Sequence, residues 1–311
     1  MDRQRLGQTS FHVSRVGFGA WQLGNLKDWG EMDDKTAVKL VHEAIDLGCN
    51  FFDTAPNYGL GKSETILGEA FKGRREEVVI NSKCGHHIDD VQSFDRKRLV
   101  ESVDGSLKRL QTNYLDSLLL HNPPFDALSQ TSEAYGVLED LKRQGKIKAY
   151  GASVDTGKEV DQIITETNSD VIEVMFNIFH QEPLEAIKRA NDKGVGVIAK
   201  VPLDSGWLSG KYGASSTFTG IRSRWSEAEI RERSEFVQDV RKIIGDNQSM
   251  ASVALQYILS FDAFSSVIPG ARNSEQLRQN MSATHKPLNG RIKQQLHDLY
   301  ETKVKQLNLN W

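Results

Sequence analysis

The chain has 311 residues, room for one large α/β domain, since a barrel of eight βα units takes roughly 250 residues before insertions. Charged residues make up 26% of it, and 39 basic against 42 acidic side chains leave a net charge of only -3, which excludes the basic footprint of a nucleic-acid binder and the polybasic stretch of a membrane-surface protein. No window approaches the ~20 apolar residues of a membrane span, and the opening MDRQRLGQTSFHV has no apolar signal-peptide core, so a cytoplasmic protein acting on small molecules is expected.

In chain order, two short extended runs flank a turn from Gly7 to Ser10 that contains Gln8, predicting a β-hairpin across one end of the fold. From Val16 onward, short runs rich in Val, Ile and Leu predict buried parallel strands at residues 16–19, 51–53, 78–83, 115–121, 149–153, 171–174, 195–200 and 265–268. Amphipathic stretches between them predict helices over residues 34–47, 64–71, 95–110, 133–143, 158–166 and 184–192. Gly48, Gly145 and Gly194 follow three of these helices, where a left-handed cap ends a helix before the next strand. Eight alternations imply closure into a (β/α)8 TIM barrel. Outside the repeat lie a long polar loop after the seventh strand, from Ser205 to about Trp225, and a C-terminal helix over residues 291–305. No linker of Pro, Gly and Ser composition divides the chain, so residues 1–311 are read as a single domain.

Catalytic groups of such barrels sit at the carboxyl ends of the strands. The second, third and fourth predicted strands end in Asp53, Lys83 and His121, and Tyr58 lies in the loop just past the first of these. Neighbouring strands are about 4.8 Å apart, so the groups can converge. A phenol with a pKa near 10 becomes a useful proton donor only where its phenolate is stabilised. Lys83 can do this by charge attraction, Asp53 can hold Lys83 in place, and His121 can orient a substrate oxygen. The quartet lacks a reductant, which points to a bound hydride donor, with a nicotinamide the simplest choice. A strand-end Lys in a barrel also fits a Schiff-base lyase, with Lys83 as its nucleophile.

The segments GFGAW (17–21), NFFDTAPNYG (50–59), INSKCG (80–85) and YLDSLLLHNP (114–123) resemble the aldo-keto reductases, with later matches in YGAS (150–153), VPLDSGWLSGKY (201–212) and VIPGARNSEQLRQN (267–280). The resemblance spans nearly the whole chain. It implies an NADPH-dependent carbonyl reductase in which Tyr58 is the general acid, assisted by Asp53, Lys83 and His121, with Trp21 as a wall of the substrate pocket beside Tyr58 and His121. It further implies cofactor contacts from Trp21, Asp53, Ser153, Glu173 and Phe176, from Leu203, Gly206, Leu208 and Lys211 in the loop after the seventh strand, and from Gly270, Arg272, Gln276, Gln279 and Asn280 after the eighth. Arg272 is expected to meet the 2′-phosphate of NADPH. Two positions depart from the family: Val154 stands where many relatives have Asn, and Glu173 where they have a Gln three residues before a stacking Tyr, here Phe176. Channel-associated relatives of the family also admit a protein that binds NADPH without turning it over.

Other signals have plainer readings. The Gly17-to-Gln22 run lacks the final small residue of a dinucleotide-binding fingerprint, and Gly61-Lys62-Ser63 fails as a phosphate loop because Pro56 stands where the pattern needs Gly. Cys49 and Cys84 read as buried thiols, and His86-His87 as a solvated loop with no metal. Trp21, Trp29, Phe125, Trp207 and Trp225 are candidates for either a pocket wall or packing.

Overall fold

The computed structural model describes residues 2–307 and 309. A hairpin of β1 (Arg3–Arg5) and β2 (His12–Ser14) precedes eight parallel strands: β3 (Phe18–Gly19), β4 (Phe51–Asp53), β5 (Val79–Cys84), β6 (Leu115–His121), β7 (Ile147–Val154), β8 (Val171–Met175), β9 (Gly196–Lys200) and β10 (Ser266–Val267). The eight pair in sequence order from β3 to β10, and a parallel bridge between Val16 and Val267 joins the two ends. Gly17 N–H donates to the Val267 carbonyl and Val267 N–H to that of Arg15, so the sheet curls into the predicted barrel.

Two apolar layers follow from the period of two along each strand. Phe51, Val79, Leu119, Ala149, Val171, Ile198 and Ile268 face the barrel interior, where Leu6, Val13 and Phe11 of the hairpin pack against them and plug the amino end. The residues of opposite parity, among them Phe52, Ile80, Leu118, Leu120, Ile172 and Val174, meet the surrounding helices. Continuing upward on the inward parity, the six strands from β4 to β9 each deliver a polar residue to the carboxyl end: Asp53, Lys83, His121, Ser153, Glu173 and Lys200.

The helices lie close to their expected places, at Asp34–Asp46, Lys62–Ala70, Arg96–Arg109, Glu133–Arg143, Gly157–Glu166 and Leu184–Asp192. Asp33, Asp95, Ser132 and Thr156 cap four of them by accepting backbone N–H bonds, a contribution of about 1 kcal/mol each. The structure adds Glu227–Ile244 and Met250–Leu259 between β9 and β10. The terminal helix runs over Gly290–Leu299 and continues as a π-turn to Val304. The stretch after β9 is less of a polar loop than its composition suggests. It folds into two 3₁₀ turns, Asp204–Ser209 and Gly220–Arg224, around a cluster of Trp207, Tyr212, Phe218 and Trp225. No helix among the described residues is long and apolar enough to cross a membrane.

Candidate active site

Asp53, Asn81 and Lys83 stand on adjacent strands β4 and β5, where Asp53 pairs in register with Asn81. Lys83 Nζ donates to both Asp53 carboxylate oxygens, at 2.7 and 2.6 Å, and Asn81 Nδ2 donates to Asp53 at 2.7 Å. Lys83 is only 1% exposed and Asp53 2%. Removing one partner of such a buried pair leaves an uncompensated charge at a cost of about 3–5 kcal/mol. Tyr58 lies above, its ring centroid 5.3 Å from Lys83 Nζ, 5.9 Å from the His121 ring and 6.5 Å from Trp21.

The four expected catalytic side chains therefore meet, with Tyr58, His121 and Asp53 opening into a cavity of about 380 Å³. Trp21 and Trp29, edge to face at 5.6 Å, form one wall, and Met175, Ile221 and Ile268 supply further apolar lining. The Gly220–Arg224 turn adds Ile221, Arg222 and Arg224 to the lining. Arg222 Nη1 donates to the Asp28 carbonyl at 2.9 Å, Arg222 Nε to that of Ser205 at 3.0 Å, and Ile221 N–H to the Asp28 carboxylate at 2.9 Å.

Burial dominates the electrostatics. It pushes the Tyr58 phenol up; Lys83 opposes this by charge, while Asp53 and Glu173 reinforce it. The expected lowering by Lys83 is thus present but outweighed, and Tyr58 rests as a protonated phenol. Burial, with Lys83 and Lys200 nearby, pulls His121 well below its usual value, so its imidazole is neutral. Burial alone would lower Lys83, but Asp53 and Glu173 hold the ammonium above its ordinary value. Burial and the adjacent Glu173 push Asp53 up to about 8 against the pull of Lys83.

The expected cofactor residues are placed differently from one another. Trp21, Asp53, Glu173, Leu203, Gly206 and Gly270 line the cavity. Ser153 is buried behind the wall, bonded to Glu173 and Lys200. Gln276 and Asn280 hold the turn after β10, Gln276 by accepting from Arg272 N–H at 2.9 Å and Asn280 by donating to the Gly270 carbonyl at 3.1 Å. Arg272 borders a separate open cleft of about 980 Å³, and Gln279 is bonded to Ser249.

Three residues are placed away from the cavity. Phe176, the residue after β8, is fully buried against Phe261, Phe264 and Tyr257 because its parity is opposite to that of Glu173; Met175 lines the cavity instead. Leu208 packs in the core, and Lys211 lies 4.6 Å over the exposed-side ring of Tyr212.

Among the aromatic candidates, Trp21 and Trp29 line the cavity, Trp207 and Trp225 serve packing, and Phe125 is exposed. His87 departs from a solvated loop, being buried with its Nε2 against the Ser93 carbonyl, while the His86 ring lies 4.8 Å from that of His121. Both cysteines are buried, and no cluster suited to a metal occurs among the described residues. Asn122, Asp155, Lys200, Arg222 and Arg224 are lining residues that the sequence reading missed. The strand-end rule that found Lys83 applies equally to Lys200; the two arginines, inside an irregular segment, carry no such signal.

The aldo/keto reductase family model matches residues 15–301. Aldo-keto reductase YhdN of Bacillus subtilis is 30% identical over 98% of this chain and 95% of its own, and the NADH-specific methylglyoxal reductase of Escherichia coli is 29% identical over 91% and 93%. The holo form of aldo-keto reductase AKR11C1 from Bacillus halodurans superposes with a TM-score of 0.82 at 27% identity, covering 96% of both chains. With this match over most of its length, the chain belongs to the aldo/keto reductase family of oxidoreductases.

Proposed function

We propose that this protein reduces a carbonyl group of a small molecule to the alcohol, reversibly, with NADPH as reductant and Tyr58 as general acid. The observation that carries this reading is the convergence of Tyr58, Lys83, Asp53 and His121 at the floor of an aromatic-walled cavity. NADPH, when bound there, would supply the hydride that the carbonyl carbon needs. The residues present suit a dinucleotide: Gly206 and Gly270 line the cavity with bare backbone, Arg222 and Arg224 add cations, and Arg272 stands beyond Gly270 on an open cleft.

The neutral His121 ring can donate one N–H to the carbonyl oxygen, setting it beside the Tyr58 hydroxyl. Tyr58 donates its proton as negative charge develops on that oxygen, and the ammonium of Lys83, fixed by Asp53, stabilises the resulting phenolate. Trp21, Trp29 and Ile221 keep bulk water from the reacting atoms. The Schiff-base alternative is disfavoured because two carboxylates hold Lys83 protonated, whereas a nucleophilic amine must be neutral.

The test is the initial rate of NADPH consumption over a panel of aldehydes, ketones and aldoses, with NADH in parallel. Tyr58→Phe is expected to lower kcat by about 100-fold or more. Equal rates in the two proteins reject the mechanism. Arg272→Ala is expected to raise KM for NADPH and leave that for NADH unchanged; an equal rise for both removes the preference for NADPH.

A further inference from the structure

Lys83 is approached by two carboxylates rather than one. Besides its bonds to Asp53, its Nζ lies 3.3 Å from Glu173 Oε2, and Asn81 Nδ2 spans the pair, 2.7 Å from Asp53 and 3.3 Å from Glu173. Two carboxylates and one ammonium in a site with side-chain exposures of 1–3% leave a net negative charge out of reach of water. Retaining one proton on the carboxylate pair neutralises it, in keeping with the upward push on Asp53.

The second Glu173 oxygen leads elsewhere. Glu173 Oε1 accepts from Ser153 Oγ at 3.0 Å, and Ser153 Oγ accepts from Lys200 Nζ at 2.9 Å. Lys200 also donates to Asn122 Oδ1 at 2.8 Å and is paired at 3.0 Å with Asp155, whose side chain is 42% exposed. A connected series of groups thus runs from solvent at Asp155, along the cavity wall that Lys200 and Glu173 line, to Lys83, whose Nζ lies 5.3 Å from the centroid of the Tyr58 ring. Ser153, which is 0% exposed, joins Lys200 to Glu173 behind that wall.

We propose that Glu173, Ser153 and Lys200 form a proton path that returns to Tyr58 the proton it gives to the substrate oxygen, drawing it from water at Asp155. The path rests on the reading of Tyr58 as general acid. In the reductive direction the Tyr58 phenolate takes an N–H proton from Lys83, and Lys83 takes the proton shared by Asp53 and Glu173. Glu173 is reprotonated by the Ser153 hydroxyl, Ser153 by the Lys200 ammonium, and Lys200 by water at Asp155. One proton enters from solvent for each alcohol formed, no electrons move, and oxidation runs the series backwards. His121, neutral and on the cavity side, takes no part.

Two variants test this. Ser153→Ala removes the connecting hydroxyl, while Glu173→Gln keeps the shape but carries no transferable proton. With NADPH saturating, as its Kd read by fluorescence titration establishes, both are expected to lower kcat by about tenfold or more and enlarge its solvent deuterium isotope effect. Infrared spectra of the resting protein are expected to show a protonated carboxyl near neutral pH that Glu173→Gln loses. Wild-type kcat and isotope effect in Ser153→Ala overturn the path. So does a fall in kcat matched by weaker NADPH binding, which assigns these side chains to holding cofactor, and so does the absence of a protonated carboxyl in the wild type. If Tyr58→Phe proves fully active, the general-acid reading fails separately, and the infrared measurement still decides whether the pair stores a proton.

Discussion

Asp53 faces a neighbouring cation and a neighbouring anion at once, and burial decides the outcome. Its carboxyl is pushed from an ordinary value near 3.9 up to about 8. Below about pH 4 the folded and unfolded states both hold the proton and the associated stability is fully present. Between about 4 and 8 the unfolded chain releases a proton that the folded one keeps, so this contribution falls as pH rises and is lost above the folded pKa. Glu173→Gln removes the neighbouring anion and is expected to flatten that decline, measured as urea midpoints from about pH 4 to 8; an unchanged slope would show that Glu173 does not act on Asp53. Asp53, Tyr58, Lys83 and His121 were legible in the sequence because three are strand-end polar groups and their chemistry is coherent. The buried position of Phe176 also has a reason in the sequence: three residues beyond Glu173 in an extended run, it cannot share its face.

At the level of elements, the strands and most helices were readable because buried parallel strands are continuous apolar runs punctuated by glycine. The segment after β9 was not, because its order comes from aromatic side chains distant in sequence and from one buried ion pair. Arg233 Nη1 meets Asp204 Oδ2 at 2.8 Å with both side chains 0% exposed, tying the turn after β9 to the Glu227–Ile244 helix. Val201, Asp204 and Ser205 all adopt left-handed φ there, at 53°, 47° and 52°, so the segment depends on such anchoring. Asp204→Ala is expected to destabilise the protein by about 3–5 kcal/mol in urea denaturation; a loss below about 1 kcal/mol would mean the pair is not the anchor. Gly151 in β7 marks another constraint, since a Cβ there would stand 1.7 Å from the Val171 carbonyl oxygen of β8. Gly151→Ala must part those strands, and a loss of about 1–3 kcal/mol is expected from equilibrium unfolding, a neutral result being incompatible with this packing.

For the whole molecule, eight alternations of strand and helix were sufficient to infer closure, and the hairpin was placed correctly over one end, while no local pattern announced the bridge from Val16 to Val267 that joins the sheet. One contiguous helix-facing layer runs from Val16 to Leu309, and the hairpin side chains complete the interior layer. The chain is therefore expected to unfold in one cooperative calorimetric transition, with equal van't Hoff and calorimetric enthalpies. Two separated transitions would mark residues after β9 as an independent unit. The amino end is plugged, and on the cavity at the opposite end the Gly220–Arg224 turn is latched to Asp28 by two hydrogen bonds. That latch is expected to act as a timer. A dinucleotide bound there would leave no faster than the latch opens, so a first-turnover burst of product ahead of the steady state is expected, and Asp28→Ala, which loses the bond to Ile221, is expected to shrink the burst and speed cofactor departure in stopped-flow fluorescence.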